Sequence, residues 1–231
     1  MEMEHNKKVF YTEAAYAAGI IILAFGTAIM ATADFGVSVV VAPAYLLHLK
    51  LSQFFPFFSF GMAEYVLQAM LLMLMILVLR RFRGYYLFSF VTAVFYGLVL
   101  DATMKLMVRF VLEDMLTRII FYLIGILCCS GGVALLFHTY IALEVYELLI
   151  KEVAEKYHFN INHVKTVYDC TSCVIAIAMS FLFFGMFHFE GIKAGTILCA
   201  PINGWLIGKW SGLYERRWTF QDRFSVRKYF A

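Results

Sequence analysis

The chain has 231 residues, of which 63% are hydrophobic and only 15% charged, with a mean hydropathy of +0.79. A soluble core of this length cannot hide so much apolar surface, so the solvent is expected to be lipid, with room for about six or seven crossings at ~20 apolar residues each. The net charge of +3 is small and the basic residues flank apolar runs, which argues against a nucleic-acid surface.

In chain order, the first apolar run covers residues 14–33. Ala31-Thr32-Ala33 resembles a signal-peptide cleavage site, but the run before it is too long for an h-region. Glu2 and Glu4 also dilute a positive start, so an uncleaved first helix is expected. Five further long runs follow at 57–79, 86–107, 118–139, 164–185 and 194–212. Two shorter segments lie between the first and second runs and between the fourth and fifth. The first, VVVAPAYLLHLKL (39–51), would be about 20 Å of helix, short of a ~30 Å hydrocarbon core, and Pro43 suits a helix's first turn. It should dip into the membrane and return. The second, ALEVYELLIKEVAEKYHF (142–159), is amphipathic, with Tyr146, Leu149, Ile150, Val153 and Tyr157 on one face. Glu147–Lys151 and Glu152–Lys156 are spaced as i,i+4 pairs of a helix at the water interface. The cysteines Cys128, Cys129, Cys170, Cys173 and Cys199 all fall in apolar stretches. Cys170-x-x-Cys173 has no second pair to complete a zinc pattern, and packing is the expected role.

With six crossings and cytoplasmic ends, the inner side receives Lys7, Lys8, Arg80, Arg81, Arg83, Lys151, Lys156, Lys165, Lys209, Arg216, Arg217, Arg223, Arg227 and Lys228. The outer side receives Lys50, Arg109, Arg118 and Lys193, a firm positive-inside bias. The halves also look alike. YAAGIIILAFG (16–26) matches the glycine spacing of YLIGILCCSGG (122–132), and each half reads long run, short segment, long run, long run. Three crossings per half put the second half in upside down, an inverted repeat. The expectation is an all-α polytopic membrane protein: six transmembrane helices as two inverted three-helix repeats, each with a short re-entrant or interfacial helix. Residues 1–231 form a single membrane domain, with repeat 1 at about 12–110, repeat 2 at about 116–212 and a cytoplasmic tail at 213–231.

FGVSVVVAPAYLL (35–47), FYGLVLD (95–101), HVKTVYD (163–169) and GIKAGTILCAPINGWLIG (191–208) resemble motifs of the YczE/YyaS/YitT family of bacterial integral membrane proteins. Val39 stands where that family's pattern has proline, and Lys193-Ala194 where it has arginine and an acid. The resemblance covers about residues 14–210 and implies a bacterial membrane protein of this shape, associated with small-molecule transport.

Charges inside the runs locate a site. An aspartate at a helix centre costs about 2.5–3.5 kcal/mol on insertion scales and normally faces a partner or a wet cavity. Asp101 and Lys105 form either an i,i+4 ion pair or, as preferred here, part of the lining of a polar cavity. Glu64/Gln68 and Lys165/Asp169 share i,i+4 spacing at corresponding places of the two halves. Candidate substrate-binding residues are therefore Glu64, Gln68, Asp101, Lys165 and Asp169, with Glu64 and Asp101 as candidates for proton coupling. A half-helix starting near Pro43, after the flexible Gly36 and Ser38, would point its partly positive end into the membrane. Gly195, Gly204 and Gly208 are expected to serve close helix packing. His138 is read as an interfacial histidine.

No H-E-x-x-H, G-x-S-x-G or nucleotide-binding loop is present, so no catalytic residue, metal or cofactor is expected and the chain does not read as an enzyme. The function expected is a secondary transporter or facilitator of a small polar metabolite, anionic or zwitterionic among the classes that fit, across the bacterial cytoplasmic membrane. The alternatives are a substrate-binding membrane subunit of an ATP-driven importer, docking through Ala14/Ala18 and Ala15/Gly19, and a non-transporting structural or signalling protein. Partners are the lipid bilayer and a small-molecule substrate, with a homo-oligomer as an open alternative and no nucleic acid. In a cysteine-free background, a cysteine replacing Arg81 should resist impermeant thiol reagents in intact cells, whereas one replacing Glu113 should react. The reverse labelling would defeat this orientation.

Overall fold

The structure, a computed structural model, describes residues 8–110, 112–185 and 191–223. Glu2, Glu4, Lys7, Arg227 and Lys228, used in the reading above, lie outside the described residues. Strand β1 (Lys8–Tyr11) leads into α1 (Thr12–Ala33), followed by the short α2 (Ala42–Leu51), α3 (Phe60–Leu79) and α4 (Tyr86–Met107). The second half repeats this order with α5 (Met115–Phe137), the short α6 (Val145–Tyr157), α7 (Ile161–Phe184) and α8 (Ala194–Arg217). Strand β2 (Trp218–Gln221) then pairs in parallel with β1, Lys8 opposite Trp218 and Tyr11 opposite Gln221.

Each long apolar run has become one helix. Helices α1, α3, α4, α5 and α7 (from His163) are long and apolar enough to cross a membrane, which makes this a multi-pass all-α protein. Helix α8 is as long as α7, but Thr196, Asn203, Lys209, Ser211 and the charged turn Glu215–Arg217 dilute its apolar character. It runs one turn beyond the apolar stretch because nothing breaks it there. Helix α2 has ten residues, about 15 Å, so it is too short to span.

The most extensive helix contact joins α1 to α5 through the matched glycines. A Cβ on Gly26 would lie 2.8 Å from the Gly125 carbonyl oxygen, and one on Gly125 would lie 3.0 Å from the Gly26 oxygen. Gly19 and Gly132 repeat the reciprocity: a Cβ on either would lie 3.1 or 2.8 Å from the other's carbonyl oxygen. Small residues let backbones approach where lipid supplies no hydrophobic drive for association. Around this contact, α1 also packs on α4 and α5 on α8; α2 packs on α3 and α6 on α7; α2 packs on α7 and α3 on α6.

Three sequence expectations change. The first two turns of α6 are buried nearly all round, at Val145, Tyr146, Leu148, Leu149 and Ile150, so this helix is embedded in the protein rather than laid on its surface. Its i,i+4 pairs give way to tertiary partners: Glu147 pairs with Lys165, Glu152 with Arg81, and Lys156 donates to the Leu79 carbonyl at 2.7 Å. Of the α8 glycines, Gly195 is packed against Phe35 and Tyr122. Gly204, Gly208 and Gly212 have no described atom within 4 Å of a Cβ position.

Replacing glycine by alanine in a helix gains about 1 kcal/mol of intrinsic propensity, while overpacking costs about 1–3 kcal/mol. At Gly132 a Cβ would lie 2.7 Å from the Leu23 backbone nitrogen, an atom that cannot rotate away. Gly132→Ala should therefore lower the thermal unfolding midpoint in detergent by several degrees, and Gly208→Ala should leave it unchanged or raise it. Equal effects would remove the α1–α5 contact from its central place.

Candidate functional site

Both interruptions of the helical ladder meet at one cavity. Helix α1 ends at Asp34, in the left-handed conformation (φ 56°), and Gly36 (φ 103°) turns the chain back. The Ser38 carbonyl then accepts from the N–H groups of Val41 and Ala42, so α2 starts with its first free donors already used. In the second half, the Val145 N–H at the start of α6 donates to Gln68 Oε1 on α3 at 3.0 Å. That fixes the Gln68 amide, whose Nε2 faces Glu64 Oε2 at 3.4 Å.

The cavity, of about 60 Å³, lies between these two helix starts. Ser38–Val41 form one wall, and Tyr146 and Glu147 of α6 another. Leu23 and Thr27 of α1, Cys129 and Val133 of α5, Lys165 and Asp169 of α7, and Asn203, Gly204 and Ile207 of α8 complete it. Lys165 Nζ lies 3.4 Å from Glu147 Oε1. Asp169 Oδ1 and Asn203 Oδ1 are buried without a hydrogen-bond partner among the described residues.

The structure therefore brings Lys165 and Asp169 together in one cavity. Glu64 and Gln68 stand behind it, both fully buried, with Glu64 Oε1 unpartnered. Next to them Tyr96, also fully buried, donates to the Thr27 hydroxyl at 3.0 Å. Asp101 lies elsewhere. It accepts from Ser59 Oγ at 2.6 Å and from the Gly61 N–H at 2.7 Å, while Ser59 accepts from the Met62 N–H. Asp101 thus closes the α3 N-terminus from α4, at the positive end of the helix dipole. Among the described residues it makes no ion pair with Lys105, which is exposed. Neither the local ion pair nor the cavity accounts for its place within the apolar run; a helix cap does. His138 closes α5, within 2.7 Å of Ser211 Oγ and stacked on Phe220.

Sequence reasoning passed over Glu144, Glu147, Thr27 and Asn203. Glu144 is the N-cap of α6, yet its side chain makes no capping bond. It is 2% exposed and both carboxylate oxygens lack a partner among the described residues. An acid inside the apolar stretch IALEVY was the available signal, and the amphipathic pattern downstream drew attention away from it.

The chain belongs to DUF6198, a family of unknown function. The family's model matches residues 10–212, a span that takes in every residue of the cavity. No curated protein and no solved structure matches the chain.

At the end of this DUF6198 protein where its strands lie, a second polar cluster ties α6 to the α3–α4 turn. The Glu152 side chain, 2% exposed, accepts from Arg81 Nη2 and from the Tyr86 hydroxyl, each at 2.7 Å, and from the Tyr85 hydroxyl. Arg83 lies 3.8 Å away. Burial pushes the Glu152 carboxyl up, but the combined donors outweigh it and hold the group below its usual range. A carboxylate held low contributes stability that is complete at neutral pH and is lost as the pH falls through and below about 4. Glu152→Gln should destabilise the protein at pH 7, because it removes the charged acceptor shared by Arg81, Tyr85 and Tyr86. The deficit against wild type should shrink on acidification below pH 4, measured by thermal unfolding. A deficit independent of pH would show that the ionised carboxylate contributes nothing.

Proposed function

We propose that the chain is a secondary transporter or facilitator that passes a small polar metabolite across a bacterial cytoplasmic membrane through the cavity between α2 and α6. The observation that carries this reading is the cavity wall, which takes residues from both halves at the starts of both short helices. Midplane sites between inverted repeats with broken helices are the design of many secondary transporters.

Several contacts support the repeat. Exchanging α1–α4 with α5–α8 turns the α1/α4 packing into α5/α8, α2/α3 into α6/α7, and α2/α7 into α6/α3. The α1–α5 glycine contact maps onto itself. The penultimate residue of each short helix also has a matching role. Lys50 donates to the Phe183 carbonyl at the end of α7, and Lys156 to Leu79 at the end of α3. The β1/β2 pairing supports a sixth crossing by α8, since strands flanking the first and last helices can be neighbours only if the number of crossings is even. With the basic residues, this favours cytoplasmic termini. The resemblance to the YczE/YyaS/YitT family belongs to the same proposal.

The halves also differ in a way that suits alternating access. Helices α3 and α4 are closed on one another, a Cβ on Gly61 lying 2.3 Å from the Gly97 oxygen, while the glycine face of α8 is open beside the cavity. The ATP-driven capture subunit loses one support, because Ala15 and Gly19 are spent inside the chain against Leu135 and Leu136 and are not available for docking.

The test begins with a panel of polar metabolites screened for thermal stabilisation of the purified chain, since a ligand of the folded state raises its midpoint. The stabilising solute should enter proteoliposomes. Lys165→Ala or Asp169→Asn should slow uptake roughly tenfold or more, about 1.4 kcal/mol each, with Lys151→Ala as an inert control. Binding without uptake would favour the capture subunit, and no binding at all the structural protein.

A further inference from the structure

We propose that the smaller cavity beside Glu144 is a subsite for a small organic ammonium ion, anchored by the Glu144 carboxylate with Glu64 behind it. This rests on the transport reading and names its substrate class.

Glu144 does not cap its own helix. It faces a second cavity of about 20 Å³, whose lining residues Leu23, Val133, Tyr146 and Glu147 also line the larger one. The two cavities share this wall, and the acid's two unpartnered oxygens are buried behind it. Leaving a buried carboxylate without a donor is expensive, because the desolvation cost goes unanswered. A donor arriving from the cavity would answer it.

The local charge count indicates the sign of that donor. Glu144, Glu147 and Asp169 line the space, with Glu64 buried behind it, against the single base Lys165, whose ion-pair partner is Glu147. Among the described residues no Lys, Arg or His pairs with Glu144. Helix starts could have favoured an anion instead. Here the Val145 N–H is held by Gln68 and the N–H groups of Val41 and Ala42 by the Ser38 carbonyl. An anion reaching the remaining first-turn N–H groups of α6 would have to sit against the carboxyl groups of Glu144, Glu147 and Asp169, with Lys165 as the one base.

The lining also decides between kinds of cation. Among the described residues no group of three or more His, Cys, Asp or Glu could hold a metal ion. Around Glu144, beside Tyr146 and Glu147, the wall is Leu23, Val133, Leu136, Phe137 and Leu143, which suits carbon better than a hydration shell. At ~10–15 Å³ for each water-sized occupant, the larger cavity holds roughly four to six non-hydrogen atoms and the smaller about one or two more. An ammonium group on a short carbon chain fits that size, with N–H donors for Glu144.

Protons compete for the same carboxylate. The titratable groups around Glu144 are Tyr16 of α1, Glu64 of α3, Tyr96 of α4 and Glu147 of α6, with Lys165 of α7 beyond Glu147. Burial and the neighbouring Glu64 and Glu147 charges favour the protonated form of Glu144. An ammonium ion must displace that proton, so binding should weaken as the pH falls.

The experiment uses the full chain in lipid nanodiscs and titrates ethylammonium chloride by calorimetry and thermal shift, with potassium chloride and sodium acetate at equal ionic strength. Ethylammonium should raise the unfolding midpoint by several degrees. It should bind more weakly at acid pH and release protons on binding, seen as a dependence of the heat on buffer ionisation. Glu144→Gln should weaken it by about tenfold or more, and Glu64→Gln by less. If neither variant folds, proton release and pH dependence in the wild type still decide. Equal effects from potassium, stabilisation by acetate, no stabilisation by ethylammonium, or an unaffected Glu144→Gln variant would each overturn the subsite. Ethylammonium binding without vesicle uptake would defeat the transport reading and leave the subsite standing. Uptake of a non-cationic solute without ammonium binding would do the reverse.

Discussion

The reciprocal approach of α1 and α5 at Gly19/Gly132 and Gly26/Gly125 is the contact on which the rest of the chain is hung. Lipid tails are as apolar as leucine, so burying leucine between helices gains little there, and helices associate where their backbones can come close. Two such approaches, about two turns apart along each helix, fix how α1 and α5 cross. The crossing in turn sets where each helix ends. Asp34 at the end of α1 meets Arg118 near the start of α5 at 2.9 Å and Lys193 just before α8 at 2.6 Å. At the other end, His138 meets Ser211 of α8.

The chain between helices must then survive in a place without water. Irregular backbone at membrane depth is tolerated only where protein satisfies its polar groups. Much of the buried polarity serves this purpose. Gln68 receives the Val145 N–H, Thr92 donates to the Ala142 carbonyl at 2.8 Å, and Asp101 holds the start of α3. The Phe35 carbonyl receives the Gly195 N–H. Subtracting the polar groups spent in this way leaves nine unpartnered buried side-chain atoms among the described residues. Five of them, Glu64 Oε1, both oxygens of Glu144, Asp169 Oδ1 and Asn203 Oδ1, belong to residues that line the two adjoining cavities or, for Glu64, back onto them, while those of Arg81, Ser89, Tyr122 and Thr196 lie away from the cavities. Polarity spent on backbone is scaffold, and polarity left over beside a cavity is available to a ligand.

That subtraction is what a linear reading cannot perform. The six long runs, the two short helices and the matched glycines were legible because hydropathy, length and residue size are local properties. Lys165 and Asp169 stood out because a charge in an apolar run is visible in one dimension. Asp101 stood out for the same reason, yet its partners Ser59 and Gly61 lie forty or so residues away in the chain. The i,i+4 rule pointed Glu147 to Lys151 and Glu152 to Lys156, whereas packing α6 between α3 and α7 offered both acids better-placed partners. Glu144 was missed because one acid at a helix start looks like an ordinary cap. Only the geometry reveals that it caps nothing.

The remaining asymmetry bears on mechanism. If the two halves shared one conformation, the α3/α4 closure at Gly61 and Gly97 would recur between α7 and α8. Instead, no described residue lies within 4 Å of a Cβ position on Gly204, Gly208 or Gly212, and Gly204 lines the cavity itself. Glycines in an exposed helix interior cost about 1 kcal/mol each relative to alanine, so an open glycine face is unfavourable unless something comes to lie against it. Closure of α7 onto that face would give the second half the packing that the first already has. The first half could then open without net loss, because the packing lost on one side is regained on the other. Near-equal energies of two mirrored states are what a transport cycle needs, since either state held too firmly would trap the solute. On the transport proposal, the reciprocal α1–α5 contact would stay intact in both states, since it maps onto itself when the halves are exchanged.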